Sequence, residues 1–450
     1  MKTLKYPRNV PSTAGRTMSA EGGEMELPRS FGDRMILRGG RVIDPLNGTD
    51  CIRDVVIEKN RLEGSFEHVE AKKGDRIVDC TGLLVLPGLI DMHVHLGDLF
   101  EVSTDPISHA AADGVTMGLS PGAGNTFLAP SLLGAEVDRG VPINLGLYIG
   151  AAAMMSTMLS KEELVLLFEG KLDPGTAAEK MTRNAIGNTT APFAVGIKDH
   201  MGHFLMPDDR IRDVFEITDR AGLVYMSHTQ DPAHAERMVS LSDGHPLHLA
   251  HATAAGCGTH DDPERGMKRV LDLVGGNVTA EFVTTMLRPN RGNREGLVMT
   301  EGSRDLALQA LADGKVKILV SDGQNDATMK GFGDTRDDVP AILELAEEGV
   351  VTLPDAVAMM TCNPAELLSE RTHNPFFRRE TGHLGKGALA NVTVVDPVKK
   401  YAVYTIVNGR ITAFEGRTLR SGYGAGGWIS RFGMAERTGV GDFPMFSVEV

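Results

Sequence analysis

The sequence predicts an α/β chain in which a TIM (β/α)8 barrel carries a small β-sandwich domain formed from N- and C-terminal segments. Three observations predict it. Between Gly88 and Leu368, eight short apolar runs alternate with helix-like stretches, the pattern of repeated βα units around a parallel sheet. The segments on either side change to short β-like runs separated by Gly, Asn and Asp turns. At the C-terminal ends of five of the eight runs stand His93, His95, Lys198, His228, His251 and Asp322. That end is where barrel enzymes keep their chemistry.

At 450 residues with 42% hydrophobic content, the chain buries a large core and exceeds one ordinary domain. Its net charge of −14 argues against nucleic acid as a partner and leaves a small-molecule substrate open. Cys51, Cys80, Cys257 and Cys362 stand apart without a CxxC pair, and charged and proline residues occupy the N-terminus where a secretory apolar core would lie. They read as reduced thiols of a cytoplasmic protein. No apolar run is long enough to cross a membrane uninterrupted.

In chain order, residues 1–32 are polar, rich in Gly, Pro, Ser and Arg, and read as an extended arm. Residues 33–87 hold MILRGGRVID, DVVIEKNRLEG and DRIVDC, and residues 383–420 repeat the same grammar in NVTVVD, YAVYTIVNGR and ITAFEGR. These two segments are expected to form the sandwich. Residues 88–382 are expected to form the barrel, with strands in VLPGLIDMHVH, GVTMGLS, PINLGLYIG, FAVGIK, GLVYMSH, PLHLAH, NVTAEFV and VKILVSD. Helices are expected over Asp208 to Ala221 and Pro232 to Ser242, started by Asp and Pro, with stops at Gly222, Gly314 and Gly349. Residues 421–450 form a tail with a Gly-rich link and the aromatics Trp428, Phe432, Phe443 and Phe446, which need either the barrel or a second subunit to cover.

In the first run, two imidazoles separated by one residue leave the same side of a strand, so His93 and His95 reach the barrel mouth together. The sixth run offers two histidines. A period of two sends His248 toward the helices and leaves His251 as the candidate at the tip. His234, His245, His260 and His373 read as ordinary polar residues.

The constellation HVH, Lys, His, His and Asp on successive strands resembles the amidohydrolase superfamily, over about Met35 to Leu419. LLVLPGLIDMHVHLGD is similar to the first-strand signature of its hydantoinase and dihydroorotase branch. HATAAG is similar to the strand-six ligand motif, LVSDG to the strand-eight aspartate, and HLGKGALANVTVVDP to the return into the sandwich. Members of that branch are binuclear metal hydrolases of amide bonds, often cyclic ones. The resemblance implies hydrolysis of a hydantoin, dihydropyrimidine, lactam or imide, and a homo-oligomer, dimer or tetramer.

It further implies that His93 and His95 hold one divalent ion with Asp322, that His228 and His251 hold a second, and that Lys198 bridges them. A free ammonium cannot ligate a cation, so Lys198 is expected to take up carbon dioxide and become N6-carboxylysine, an anion the two ions stabilise. Zinc suits this donor set, with manganese, iron or nickel as further options. A water bridging the ions would lose a proton near neutral pH and attack the carbonyl. Asp322 would take its proton and return one to the departing nitrogen. The oxyanion donor in hydantoinase-like enzymes is a tyrosine five residues beyond the lysine. KDHMGH places His203 there, either as a substitute donor or as a loop histidine.

Two departures bear on the substrate. Gly323, Gln324 and Asn325 follow the strand-eight aspartate where the branch typically has His, and the segment between His228 and His251 is short. Candidate substrate contacts are Asn125 after strand two, Arg288 and Arg291 after strand seven, and Gln324 and Asn325 after strand eight. A solvated basic loop is the better account of at least two of the three arginines there, Arg288, Arg291 and Arg294. SPGAGN lacks the Lys-Ser/Thr ending of a phosphate loop, which argues against nucleotide. The competing readings are a deaminase or a linear N-acyl amino acid or dipeptide amidohydrolase on the same fold, and a scaffold that has lost its chemistry.

Overall fold

The computed structural model describes residues 34–96, 106–122, 124–200, 206–292, 296–323 and 331–439. The N-terminal arm, His203, Gln324, Asn325, Arg294, Phe443 and Phe446 lie outside the described residues.

The two β-rich segments meet in one nine-stranded sheet. From the N-terminal side come Arg34–Asp44, Thr49–Glu58, Arg61–Phe66, Arg76–Asp79 and Leu84–Pro87, and from the C-terminal side Val392–Asp396, Tyr401–Val407, Arg410–Phe414 and Arg417–Thr418. The seam is the antiparallel pairing of Leu84–Pro87 with Val392–Asp396, where Val85 faces Val394. Alternating Val, Ile and Leu side chains suit a pleated, half-buried surface. One set, including Leu37, Val55, Ile57, Val85, Val394 and Ile406, forms a core separate from that of the barrel.

The apolar run of the signature stretch is divided between the two sheets. Leu84–Pro87 belongs to the sandwich, and Leu89–Asp91 is the first barrel strand. Gly88 sits at the crossing because a β-carbon there would lie 2.3 Å from Thr116 Oγ1. The remaining barrel strands are Val115–Ser120, Asn144–Gly150, Gly196–Asp199, Val224–His228, Leu247–Ala250, Val278–Val283 and Ile318–Val320. All neighbours are parallel, and each strand pairs with the next in sequence. The eighth strand meets the first through the parallel bridge of Gly323 with Val94, so the barrel closes.

Helices cover Asp208–Ala221 and Pro232–Ser242 as the start and stop signals predict. Gly222 ends the first in the left-handed conformation at φ 65°, and the Asp231 side chain caps the second by accepting from Ala233 N. No helix among the described residues is long and apolar enough to cross a membrane.

The described part of the tail covers the barrel of its own chain. Trp428–Ser430 adds parallel to the third strand, with Trp428 opposite Leu145, and Gly433–Ala435 folds back on it. Trp428 is fully buried, and its Nε1 donates to Phe193 O at 2.9 Å.

Candidate functional site

Strand ends bring six side chains to one mouth of the barrel. The first strand stops at Asp91, two residues before His93, and the segment beyond it is held by backbone bonds to the eighth strand. Asp322 N donates to His93 O at 2.8 Å, and His95 N donates to Gly323 O at 2.9 Å. His93 Nε2 and His95 Nε2 lie 3.1 and 3.3 Å from Asp322 Oδ1. His251 joins them, its ring centroid 5.2 Å from that of His93 and 4.4 Å from that of His228. Donor atoms of His93, His251 and Asp322 all lie within 4.8 Å of one another, the spacing of a metal-binding group.

Lys198 rises from the fourth strand into the same space. It is buried, and its Nζ has no hydrogen-bond partner, as is also true of His251 Nδ1. Unpaired buried polar atoms are rare and costly, so these two mark a place built for a missing partner. Burial pulls the Lys198 ammonium down to about 8, against the pull of Glu281, Asp322 and Asp199. Burial, with Lys198 nearby, drops His228 to about 3 and holds His251 well below the usual histidine range. Both rings are therefore neutral near pH 7, the form that ligates a cation. Burial alone would raise the Asp322 carboxyl, but the His93 and His95 imidazoles hold it well below the usual range. A divalent cation fits this set: the neutral imidazoles of His228 and His251, the imidazoles of His93 and His95, the Asp322 carboxylate and an unpartnered amine.

A second layer orients the first. His93 Nδ1 pairs with Glu281 Oε1, which leaves Nε2 facing Asp322. Glu281 also accepts from His251 N at 3.1 Å and pairs with His248 Nε2 at 2.9 Å. Asp91 accepts from His93 N at 3.1 Å and from the Ser321 hydroxyl, tying the first strand to the eighth. On the outer face Asp199 is held by Ser227 Oγ at 2.9 Å and His234 Nε2 at 2.7 Å, so its neighbour Lys198 points inward.

The orientation expected for His248 is wrong. Met226 pairs laterally with both Lys198 and His248, and laterally paired residues share a face, so His248 points into the barrel. His251 reaches the same space because it lies past the strand end in the left-handed conformation, φ 36°, where a period of two no longer applies. His234 also has a definite place, behind Lys198. Glu281 and Asp91 were missed. Their signal is a carboxylate inside an otherwise apolar barrel strand, VTAEFV and LID.

The other candidates are placed as follows. Arg288 is engaged by Asp337 and, through both Nε and Nη2, by Glu344 at 2.8 and 2.9 Å, and Arg291 pairs with Asp337 at 3.0 Å. Neither guanidinium is brought to the metal-binding group. Asn125 is buried and donates to Tyr148 O at 3.1 Å, which fixes the loop after the second strand to the third. His203, Gln324 and Asn325 lie outside the described residues. Beside Lys198 a cavity of about 490 Å³ opens, walled chiefly by Phe127, the alanines Ala151 to Ala153, Met181 and Met206.

The sequence profile of the Amidohydrolase family matches residues 84–418. A dihydroorotase of Geobacter metallireducens is 26% identical, over 82% of this chain and 91% of the relative. A D-hydantoinase from Bacillus sp. AR9 superposes with a TM-score of 0.64 at 17% identity, covering 89% of this chain and 99% of its own. The dihydropyrimidinase of Brevibacillus agri NCHU1002 gives 0.63 at 16%, with coverages of 89% and 99%.

Proposed function

The chain belongs to the amidohydrolase family, and from that premise we propose that it is a metal-dependent hydrolase opening the C–N bond of a cyclic amide. The observation that carries the reading is Lys198, whose buried Nζ lacks any partner in the midst of His93, His228, His251 and Asp322. The dihydroorotase, hydantoinase and dihydropyrimidinase similarities support a cyclic amide as the substrate class.

His93, His95 and Asp322 would hold one ion, and His228 with His251 a second. Lys198 would bridge them after its neutral amine adds to carbon dioxide and releases a proton. Two divalent ions, zinc by donor chemistry, supply a more acidic water and a more electrophilic carbonyl when bound. Asp322 stays ionised at working pH and accepts a proton from the attacking water, then delivers it to the departing nitrogen. Glu281 keeps His93 in the tautomer that offers Nε2. His203 remains the candidate oxyanion donor, and Gln324 and Asn325 candidate substrate contacts.

We further place the protein in the cytoplasm, since all four cysteines are free, and read it as a homo-oligomer. The test is metal content per chain with turnover of dihydrouracil, hydantoin and dihydroorotate. About two metals and hydrolysis of a ring amide are expected. A metal-loaded enzyme that opens no ring but hydrolyses N-acyl amino acids or dipeptides would replace this reading with the linear-amide one.

A further inference from the structure

Next to the cavity beside Lys198 lies a second one, of about 390 Å³, which no step above uses. One short segment separates them. Met181, Thr182 and Gly187 line the first, while Arg183, Ala185, Asn188 and Thr189 line the second. The segment is braced on itself: Asn188 Nδ2 donates to Thr182 O at 2.6 Å, and Asn184 Oδ1 accepts from Ile186 N and Gly187 N at 3.0 and 3.2 Å. The rest of the second wall is apolar, with Leu167, Leu172, Pro192 and Phe193 as its larger side chains. Arg183 is the one charged group among its described lining residues; it is exposed and makes no ion pair with any described residue. The neighbouring cations differ, since Lys171 is held by Glu169 at 2.9 Å and Lys180 by Glu163 at 2.6 Å. On a chain of net charge −14, a cation left open at an apolar cavity complements an anion brought from outside.

We propose that the second cavity is an effector site for a carboxylic acid with a compact apolar body: the carboxylate pairs with the Arg183 guanidinium, the body covers the apolar wall, and occupancy changes substrate affinity across the shared segment. A cavity of this size, apolar with a few placed polar groups, suits a small ligand. The planar guanidinium fork matches a carboxylate. An uncharged body would lack that pair, and a bare anion would lack the apolar anchor. A ligand in the second cavity and a ring in the first touch two faces of one segment, so the effect of either on the other's affinity is reciprocal.

The site itself is independent of the reaction, whereas the effect on substrate rests on the cyclic-amide reading. The probe is 3-phenylpropanoate, with 3-phenylpropanamide as its uncharged counterpart, each titrated calorimetrically into the full chain. The acid should bind wild type with a Kd of about 1 mM or below, and about five-fold or more tighter than the amide. Arg183→Gln should remove the preference for the acid. Ala178→Phe, which fills the cavity from an exposed wall position, should abolish binding of both, and the two variants should melt as wild type does. In the metal-loaded enzyme the acid should shift KM for dihydrouracil by about two-fold or more with kcat nearly unchanged, and Ala178→Phe should remove the shift while keeping kcat and metal content. Binding that survives both variants, or an acid held no more tightly than its amide, would overturn the site. A KM that does not move with acid bound would overturn the effector role, and so would a shift that persists in Ala178→Phe, because that is competition at the metal site. If no ring is opened, the cyclic-amide reading fails by itself, and the titrations still decide the second cavity.

Discussion

At the residue scale, the site depends on groups held in states they would not adopt in water. Asp322 has a left-handed backbone, φ 44°, and a carboxylate shared among His93, His95 and the Phe332 amide, whose N donates at 3.1 Å. A strained backbone at a candidate base is a cost of roughly 1–3 kcal/mol that surrounding structure sustains. Asn tolerates that conformation well and preserves the bond from Phe332, so Asp322→Asn should fold with a nearly unchanged melting temperature. Its turnover should fall by about 10² to 10⁴, the usual range for a lost acid–base group. Activity within a few-fold of wild type would remove Asp322 from proton transfer. Lys198 gives a pH test. Only its neutral amine reacts with carbon dioxide, and burial brings the pKa from 10.5 to about 8. Uptake of ¹³C-labelled carbon dioxide by metal-free protein, followed by NMR, should therefore rise through about pH 8. The sign for stability follows: between about 8 and 10.5 the unfolded chain holds the proton and the folded one does not, so adduct-free protein gains stability across that window as pH rises. Labelling that begins only near 10.5 would contradict the burial of this amine. The six strand-end groups were legible in the sequence because they are polar breaks at the ends of apolar runs. Glu281 escaped because a single internal Glu resembles an exposed face of a strand, and only closure of the barrel makes its position interior.

At the element scale, the sixth strand shows why alternation is a reliable guide only inside a strand. Leu247–Ala250 is four residues long, and His251 belongs to the turn after it. Alternation carried one residue past the strand end set His248 and His251 on opposite faces, whereas the lateral partners Met226 and Thr279 put His248 on the inward face. His248 then becomes a support: with Thr279 at 2.8 Å and Glu281 at 2.9 Å, it fixes the carboxylate that orients His93. Glu281→Gln keeps the shape and removes the charge that sets the His93 tautomer. Metal affinity should fall by about 10- to 100-fold, the usual effect of losing a partner behind a ligand. Competition with a chelator reads this directly, and an unchanged affinity would make Glu281 a packing residue. The tail supplies a stability test of a different kind. Trp428 fills a site on the third strand and donates to Phe193 O, so Trp428→Ala removes that bond and leaves a cavity. The expected loss is about 3–5 kcal/mol in urea unfolding. A loss below about 1 kcal/mol would mean that the hairpin is dispensable to the barrel.

At the scale of the whole molecule, the two ends of the chain are joined before any site exists. The seam between Leu84–Pro87 and Val392–Asp396 links segments about three hundred residues apart, and Gly88 passes directly from that seam into the first barrel strand. The stretch MHVHL is thus positioned from both sides, by the sandwich behind it and by Asp322 and Gly323 in front. This long-range architecture was readable because each half carries its own strand grammar, whereas the seam itself is a matter of packing. The same view changes the argument for self-association. Trp428 no longer needs a second subunit, because its own barrel covers it. Among the described residues, exposed apolar side chains on the sandwich include Ile52, 71% exposed, Ile77, 46%, and Phe66, 41%, while Met158 and Leu132 stand exposed on the barrel. Such side chains are ordinary when scattered, but a stable interface must bury roughly 1,000 Å² or more, and the sandwich offers apolar anchors for one. If it does, light scattering at micromolar concentration should give the mass of a dimer or tetramer, and Ile52→Lys should lower it by placing an unpaired charge in the contact. The metal content of the variant should not change, because Ile52 lies in the sandwich and not among the barrel strand ends. A wild type that scatters as a single chain would remove the oligomer from this reading and leave the barrel site to work alone. An oligomer indifferent to Ile52→Lys would move the interface away from the sandwich.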